Sequence, residues 1–188
     1  MFVGVFVDSA ARSGRRRFLS RIAAAGALGL TAGLVTACAG PGGGTGADSG
    51  LGRLDIPEQP VAQATKDLWA ASQSGDVAAV KAALAAGADI EGIDFSDNKN
   101  GRRALNYAAL SNHAAVIEAL LAAGANIESL NRTRFTPLHH AAEGGSIDAI
   151  KTLLKHGANK RAKMYRGGIP QQIAEYKGHR DAALLLVP

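Results

Sequence analysis

Few side chains of this sequence are spaced for catalysis or for metal binding. His139 and His140 are the strongest candidates, but adjacent residues of a helix point in different directions and hold one metal ion poorly. Asp94, Asp97 and Asn98 loosely suggest a calcium loop, yet the spacing and the terminal glutamate of such a loop are absent. The common nucleophile, zinc-protease and phosphate-loop motifs are also absent. We therefore expect no catalytic residue, no metal, no cofactor and no enzyme activity.

The only cysteine, Cys38, is the strongest candidate for covalent chemistry. A basic stretch at 12–21 precedes an uncharged run at 22–38 that is rich in alanine, glycine and leucine. A basic start, an apolar run and a small-residue exit predict a signal peptide over residues 1–37. Residues 34–38 read Leu-Val-Thr-Ala-Cys and resemble a bacterial lipobox, which implies cleavage before Cys38 and lipid attachment to its thiol.

A second export signal lies within the basic stretch. Arg15, Arg16, Phe18 and Leu19 resemble the twin-arginine motif, in which two arginines precede any residue and two apolar ones. Gly14 departs from the usual serine. We expect an exported chain that is lipid-anchored on the periplasmic side of the cell envelope, at the outer membrane if the organism has one. The alternatives are an incidental thiol, an uncleaved transmembrane helix over 22–39, and a cytoplasmic protein whose N-terminus only resembles a signal.

Residues 38–62 are predicted to be a flexible tether. Glycine, proline and small polar residues dominate 39–52, which contains too little apolar surface to fold. Pro57 and Pro60 disfavour a helix and predict extended chain before residue 63.

Positive charge is concentrated at the N-terminus. The formal net charge is +5, but five arginines and one aspartate lie within residues 1–37. The remainder carries 16 basic and 15 acidic residues. We therefore expect no nucleic-acid binding by the folded part.

A triplet of glycine, alanine and an aspartate or asparagine recurs through the second half of the chain. It occurs at 87–89, 124–126 and 157–159, each time after an apolar run, with spacings of 37 and 33 residues. Such a triplet predicts a helix that ends at glycine, which accepts a positive φ. A period near 33 is typical of a solenoid, in which each unit buries its apolar face only by stacking on its neighbours.

Four helix pairs fit this period. The first helices are predicted to begin at 67, 104, 137 and 170, the turns to fall at 75–76, 112–113, 145–146 and 178–179, and the second helices to begin at 77, 114, 147 and 180. Residues 136–142, Thr-Pro-Leu-His-His-Ala-Ala, resemble the ankyrin repeat signature. The resemblance implies an all-α ankyrin-repeat solenoid of four helix-turn-helix repeats with β-turn fingers, spanning 63–95, 96–132, 133–165 and 166–188.

The resemblance also implies roles for side chains. Histidines at the places of His113, His139 and His179 are structural in this family, and partners bind to the fingers and to the concave face of the first helices. The fingers then fall at 99–103, 131–135 and 163–167. The predicted partner-binding residues are basic or aromatic: Lys99, Arg102, Arg103, Arg132, Arg134, Phe135, Lys163, Tyr165, Arg166, Tyr176 and Lys177.

Arginine and aromatic side chains contribute most of the binding energy at interfaces, so this surface is predicted to bind a protein with an acidic surface. The alternative is that these are solvated loop charges. Leu184 and Leu185 stand where repeat 3 has the polar Lys151 and Thr152, and they predict self-association or contact with a membrane surface. Here the alternative is a last helix that is rotated so as to bury both leucines.

The predicted function is therefore that of a membrane-anchored, exported lipoprotein that serves as a protein-interaction module or scaffold in the envelope. One alternative is an immunity or inhibitor protein for a toxin. A further alternative is an envelope enzyme or small-ligand receptor that uses His139 or His140.

Overall fold

The computed structural model of the chain describes residues 51–188. In this range the predicted all-α repeat solenoid is confirmed, and the only β pairing among these residues is an isolated bridge between Asp94 and Arg102. The predicted signal peptide, the lipobox and Cys38 lie outside the described residues. The helices are α1 (Gln63–Ser74), α2 (Val77–Ala85), α3 (Ala104–Leu110), α4 (Ala114–Ala122), α5 (Pro137–Gly144), α6 (Ile147–Lys155), α7 (Pro170–Lys177) and α8 (Arg180–Leu185).

The helices form two layers. The first helices of the repeats, α1, α3, α5 and α7, pack side by side, and the second helices, α2, α4, α6 and α8, do the same behind them. Leu68, Leu105 and Leu138 point from the first layer into the core, and Ile117 and Ile150 meet them from the second. All five are at most 1% exposed. Burial of each side chain contributes roughly 1.5–3 kcal/mol to stability. Because neighbouring repeats bury these side chains together, the core is shared between repeats and each helix pair depends on its neighbours.

Helix boundaries follow from local residue chemistry. Pro137 and Pro170 begin α5 and α7, where a missing backbone N–H costs nothing. The predicted starts of the other first and second helices are confirmed, with one exception. Helix α1 begins at Gln63 and not at Asp67, because repeat 1 has no proline at 67 and the chain stays helical back to the residues after Pro60.

One hydrogen bond recurs in repeats 2, 3 and 4. It joins the turn of the repeat to the end of the first helix of the repeat before it. The Nε2 atom of His113 lies 3.0 Å from the carbonyl oxygen of Gln73, and that of His179 lies 3.1 Å from the carbonyl oxygen of Glu143. In repeat 3, Ser146 takes this place and donates from its hydroxyl to the carbonyl oxygen of residue 110 at 2.8 Å. The predicted structural role of the turn histidines is thereby confirmed.

The two leucines that predicted self-association or membrane contact, Leu184 and Leu185, differ in exposure on α8. Leu184 is 73% exposed, whereas Leu185 is half-buried against the core and Leu186 is fully buried. The α8 helix is therefore rotated enough to cover one of the two side chains. Self-association through this end of the solenoid stays a prediction. None of the helices within 51–188 has both the length and the hydrophobicity of a membrane span.

Gly144 offers a test of how tightly neighbouring repeats approach. A Cβ at this position would lie 2.3 Å from the backbone oxygen of Leu110 in the preceding repeat. Helix propensity alone predicts that Gly144→Ala stabilises α5 by about 0.5–1 kcal/mol. Because a backbone oxygen cannot move aside cheaply, we expect a net loss of about 1–2 kcal/mol in the free energy of urea unfolding.

Gly168→Ala is the matched control for this substitution. A Cβ there meets the side chain of Met164 at an ordinary 3.5 Å, so its effect should stay within about 0.5 kcal/mol. A Gly144→Ala chain that is more stable than the wild type would contradict close contact between the repeats at this point.

Candidate functional site

Three loops between the repeats project beside the first layer as fingers: finger 1 (94–102), finger 2 (131–135) and finger 3 (163–168). Finger 1 is a small hairpin in which Asp94 and Arg102 exchange two backbone hydrogen bonds, of 2.8 and 2.9 Å. A turn closes it, with the N–H of Gly101 donating to the carbonyl oxygen of Asn98 at 2.8 Å. The segment that makes this repeat spacing 37 residues long, four more than the next, therefore folds as a hairpin with a tight turn.

Backbone hydrogen bonds join each finger to the next. The N–H of Arg132 in finger 2 donates to the carbonyl oxygen of Asn100 in finger 1, and the N–H of Tyr165 in finger 3 donates to the carbonyl oxygen of Thr133 in finger 2; both distances are 2.9 Å. The fingers thus form one continuous row, which we call the finger surface.

Asn131 shapes finger 2 from inside. Its Oδ1 accepts hydrogen bonds of 2.9 Å from the backbone N–H groups of Thr133 and Phe135 and from the Thr133 hydroxyl. The residue is almost fully buried, so these bonds replace water that it has lost. Arg134, in the same turn, adopts φ of 61° because this tight loop requires it.

The start of α5 is held by Thr136 and His139. The His139 Nδ1 atom accepts from the Thr136 N–H at 3.2 Å and lies 2.9 Å from its hydroxyl oxygen. This arrangement places the proton on Nε2, which donates to the carbonyl oxygen of Gly168 in finger 3 at 3.3 Å. Burial lowers the pKa of His139 to about 4, so the ring is neutral near pH 7. Its predicted structural role is confirmed.

A recess of about 320 Å³ lies where the three fingers meet α5. Its lining includes the amide side chains of Asn98, Asn100 and Asn131 together with Tyr165 and Arg166. The recess is therefore walled by hydrogen-bonding groups together with the apolar side chains of Phe135 and Met164.

His140 and Glu143 lie at the helix side of this recess. His140 is 2% exposed, its ring lies 5.3 Å from that of Phe135, and burial lowers its pKa. Its Nδ1 atom is 3.4 Å from the Glu143 carboxylate, but the alignment is too poor for a full hydrogen bond, and neither ring nitrogen has another partner among the described residues. The His140 contact, aided by an ion pair of 3.3 Å with Lys177, lowers the pKa of Glu143 to about 2.

Two of the predicted partner-binding residues have their guanidinium groups engaged within the chain. Arg103 lies 3.1 Å from the Glu91 carboxylate and donates to the carbonyl oxygen of Leu130, and its burial lowers its pKa. Arg132 stacks over Phe95, 4.0 Å from the ring centroid, and donates to the carbonyl oxygen of Lys99 at 3.0 Å. Arg103 therefore joins two repeats, and Arg132 braces fingers 1 and 2.

The other predicted residues lie on or beside the finger surface. Phe135, Tyr165 and Arg166 line the recess, whereas Lys99 and Lys163 are exposed. The remaining four differ in surroundings. Arg102 stacks 5.8 Å from the centre of the Tyr107 ring, and the Arg134 Nε is buried without a hydrogen-bond partner in the described part of the chain. Tyr176, 87% exposed, and Lys177, paired with Glu143, lie on α7.

Residues 53–58 add an element that the sequence did not reveal; we call it the strap. It has no helix and crosses fingers 1 and 2. The Leu54 N–H donates to the carbonyl oxygen of Arg132 at 2.9 Å, and the Arg132 Nε donates to the carbonyl oxygen of Ile56 at 3.0 Å. This part of the predicted tether has no helix, in agreement with the extended chain expected from Pro57 and Pro60, and its contact with the fingers was not predicted from the sequence.

The recess and the strap include residues that sequence reasoning did not select as binding residues. Asn100 and Asn131 line the recess, and Arg53 and Glu58 hold the strap. The asparagine of the Asn-Arg-Thr-Arg turn gave a usable signal, because asparagine commonly organises tight turns through its own side chain. Within 51–188 no group of three or more histidine, aspartate or glutamate side chains is placed to hold a metal ion.

Comparisons with known proteins agree with the repeat architecture. A family model for ankyrin repeats in three copies matches residues 68–164 and 120–188. Human cyclin-dependent kinase 4 inhibitor B is 33% identical over 116 residues, covering 62% of this chain and 81% of that protein. The protein of the same name from Rattus norvegicus is 35% identical over 119 residues, covering 63% and 88%. Human espin-like protein is 41% identical over 51 residues, covering 27% and 5%.

The low pKa of His139 predicts a pH-dependent loss of stability. The unfolded chain binds a proton near pH 6.5, whereas the folded chain resists it down to about pH 4. The contribution of neutral His139 to the free energy of unfolding is therefore fully present above pH 6.5, and it is lost as the pH falls from 6.5 toward 4. For His139 alone the loss at pH 4.5 is about 2.5 kcal/mol relative to pH 7.5.

His139→Asn, which introduces the residue that repeat 2 has at this place, should be less stable at pH 7.5 but lose clearly less stability on acidification. The measurement is urea unfolding at both pH values. His156→Gln, on the exposed outer layer, should retain the wild-type contribution of His139. An equal acid loss in the wild type and in His139→Asn would contradict a buried neutral ring.

Proposed function

This chain belongs to the ankyrin-repeat family and is a protein–protein interaction module, and we propose that it binds an acidic protein surface through its fingers while anchored in the cell envelope. The observation that carries the proposal is the charge of the finger surface. Residues 94–102, 131–135 and 163–168 include six basic and two acidic side chains, in a chain whose residues 38–188 are nearly neutral.

The arrangement of these charges supports binding at the rim of the recess. Arg166 lines the recess, and the chain neighbours of its lining residues include Lys99 and Lys163; all three are exposed. The Arg166 guanidinium lies 5.7 Å from the Tyr165 ring centre. Arginine beside a tyrosine is a common composition of interface hot spots. Positive charges on neighbouring loops also attract an acidic partner at long range and speed its association.

The envelope location is proposed on sequence grounds. The basic stretch, the apolar run and the lipobox-like residues before Cys38 together support export and lipid attachment. A chain anchored there would hold its partner close to the membrane, as a scaffold does.

An inhibitory role is the second candidate. Two of the similar proteins are named as inhibitors of cyclin-dependent kinase 4, and this chain aligns with most of the length of each. By analogy, the finger surface would cover an acidic region of an enzyme or a toxin and so block it. The same binding residues serve either role, and activity assays on the captured partner would separate them.

Charge reversal on finger 3 tests the acidic partner. In a crosslinking pull-down from the envelope fraction, Lys163→Glu with Arg166→Glu should lower recovery of the partner at least tenfold, since each lost or reversed pairing costs about 1 kcal/mol or more. These residues are chosen because Arg132 and the Arg134 Nε are engaged or buried in the fold.

The control for this experiment is the double variant Lys81→Glu with Lys151→Glu. It makes the same change in net charge on exposed residues of the second layer, in α2 and α6. It should retain the partner, and recovery should fall with rising salt in both the wild type and the control. Equal recovery with the finger 3 variant would exclude an acidic partner bound at this rim.

Lipid attachment is tested by metabolic labelling with radioactive palmitate. The wild-type chain should be labelled and recovered with membranes, whereas Cys38→Ala should be unlabelled. Ala37→Gly, which keeps a small residue before the cysteine, should behave as the wild type. Arg15→Lys with Arg16→Lys should reduce export if the twin-arginine route is used. An unlabelled wild-type chain would refute the anchor and leave the interaction module unaffected.

A further inference from the structure

The strap engages the finger surface as a bound peptide would. On one side, the N–H of Arg132 donates to the carbonyl oxygen of Asn100 in finger 1. On the other, the carbonyl oxygen of Arg132 accepts the N–H of Leu54, so the strap extends the row of backbone hydrogen bonds. Arg53 adds a hydrogen bond of 2.7 Å from its guanidinium to the Oδ1 of Asn100. One backbone bond and one side-chain bond thus hold this end of the strap, and backbone bonds of the same kind join extended peptides to the edge of existing backbone pairing.

Arg132 binds two groups of the strap at the same time. Its guanidinium donates to the carbonyl oxygen of Ile56 through Nε and Nη2, and Nη1 lies 3.4 Å from the Glu58 carboxylate. The planar fork is held in place by Phe95 beneath it and by the carbonyl oxygen of Lys99. An arginine braced in this way recognises a peptide carbonyl followed, two residues later, by a carboxylate.

The strap is also a weakly held occupant. Arg53, Asp55 and Glu58 are exposed, and only Leu54 and Ile56 are half-buried. A cavity of about 410 Å³ lies between residues 56–65 and the segment 87–95, and its lining includes Ile56 of the strap and Phe95 of finger 1. A segment with few buried contacts opens at low free-energy cost, and an unfilled cavity leaves room for a larger apolar side chain.

We propose that fingers 1 and 2 form a binding site for an extended segment of the partner, and that the chain's own strap occupies this site until such a segment displaces it. The segment that fits has an apolar residue, then any residue that keeps the chain extended, then an acidic residue, as in Ile56-Pro57-Glu58. This inference rests on the proposed protein-binding function and adds the recognition chemistry of a second contact, away from Lys163 and Arg166. The strap therefore competes with the partner's segment for this site from within the same chain.

The test uses the full chain and a fluorescent synthetic peptide with the sequence of residues 53–60, Arg-Leu-Asp-Ile-Pro-Glu-Gln-Pro. Leu54→Pro removes the N–H that donates to Arg132 while keeping the strap extended. Fluorescence anisotropy should show the peptide binding this variant at least tenfold more tightly than the wild type, where the tethered strap competes at an effective concentration of order mM. Combining Leu54→Pro with Arg132→Ala should abolish this binding.

Two further variants distinguish displacement of the strap from a general effect of proline or a failure to fold. Asp55→Pro is the matched control, because its N–H donates to no atom of the described residues, and it should bind the peptide as weakly as the wild type. Glu58→Lys, at a side chain that is 68% exposed, weakens the strap without touching the core and should also increase peptide binding if Leu54→Pro fails to fold. Urea unfolding of each variant reports whether the repeats remain intact.

The alternatives predict different results. If the strap is only a structural cover, Leu54→Pro and Glu58→Lys lower stability and neither binds the peptide, which would overturn the inference. If the site serves the strap of a second copy, the wild-type mass in solution rises with concentration, which would overturn the choice of a partner segment. Loss of the envelope partner in the finger 3 variant, without peptide binding here, would leave the proposed function standing and refute this inference alone.

Discussion

The hydrogen bond from each turn to the preceding first helix sets the geometry of the whole solenoid. His113 reaches the carbonyl oxygen of Gln73 only because Gly75 has no Cβ, which would lie 2.6 Å from the imidazole Nδ1. The same relation holds between His179 and Gly145. Because this contact fixes the distance between repeats at one end, the fingers at the other end are brought close enough to pair their backbones. The finger surface therefore depends on a contact made at the opposite end of the first helices.

Sequence reasoning succeeded where the signal is local and failed where it depends on distant contacts. Prolines, turn glycines and the repeated triplet predicted seven of the eight helix starts, since each acts on the backbone beside it. Helix α1 begins four residues early because Lys66 and Asp67 supply no stop signal. The strap was out of reach, because the Ile56–Arg132 contact joins residues 76 positions apart and no local pattern encodes it.

Arginine has two distinct uses in this chain, and composition alone does not separate them. Arg103 and Arg132 satisfy backbone carbonyl oxygens in half-buried joints, where the rigid guanidinium fork can hold several acceptors together. Lys99, Lys163 and Arg166 remain exposed at the edge of the same surface. A cluster of basic residues around tight loops therefore contains both structural charges and exposed charges that are available to a partner. Burial and acceptor geometry distinguish them, and both come only with the three-dimensional fold.

The recess between the fingers constrains what an acidic partner can do. Glu143 stays ionised at its helix side and is already balanced by Lys177, while burial keeps His140 neutral. A carboxylate entering the recess beside Glu143 would meet that negative charge and would lose hydration next to it. Positive charge is instead available at the rim, from Arg166 and Lys163, where a bound carboxylate keeps part of its water. Acidic side chains of the proposed partner therefore belong at the rim, and the recess suits a neutral side chain that can bond to the asparagine amides and stack on Tyr165.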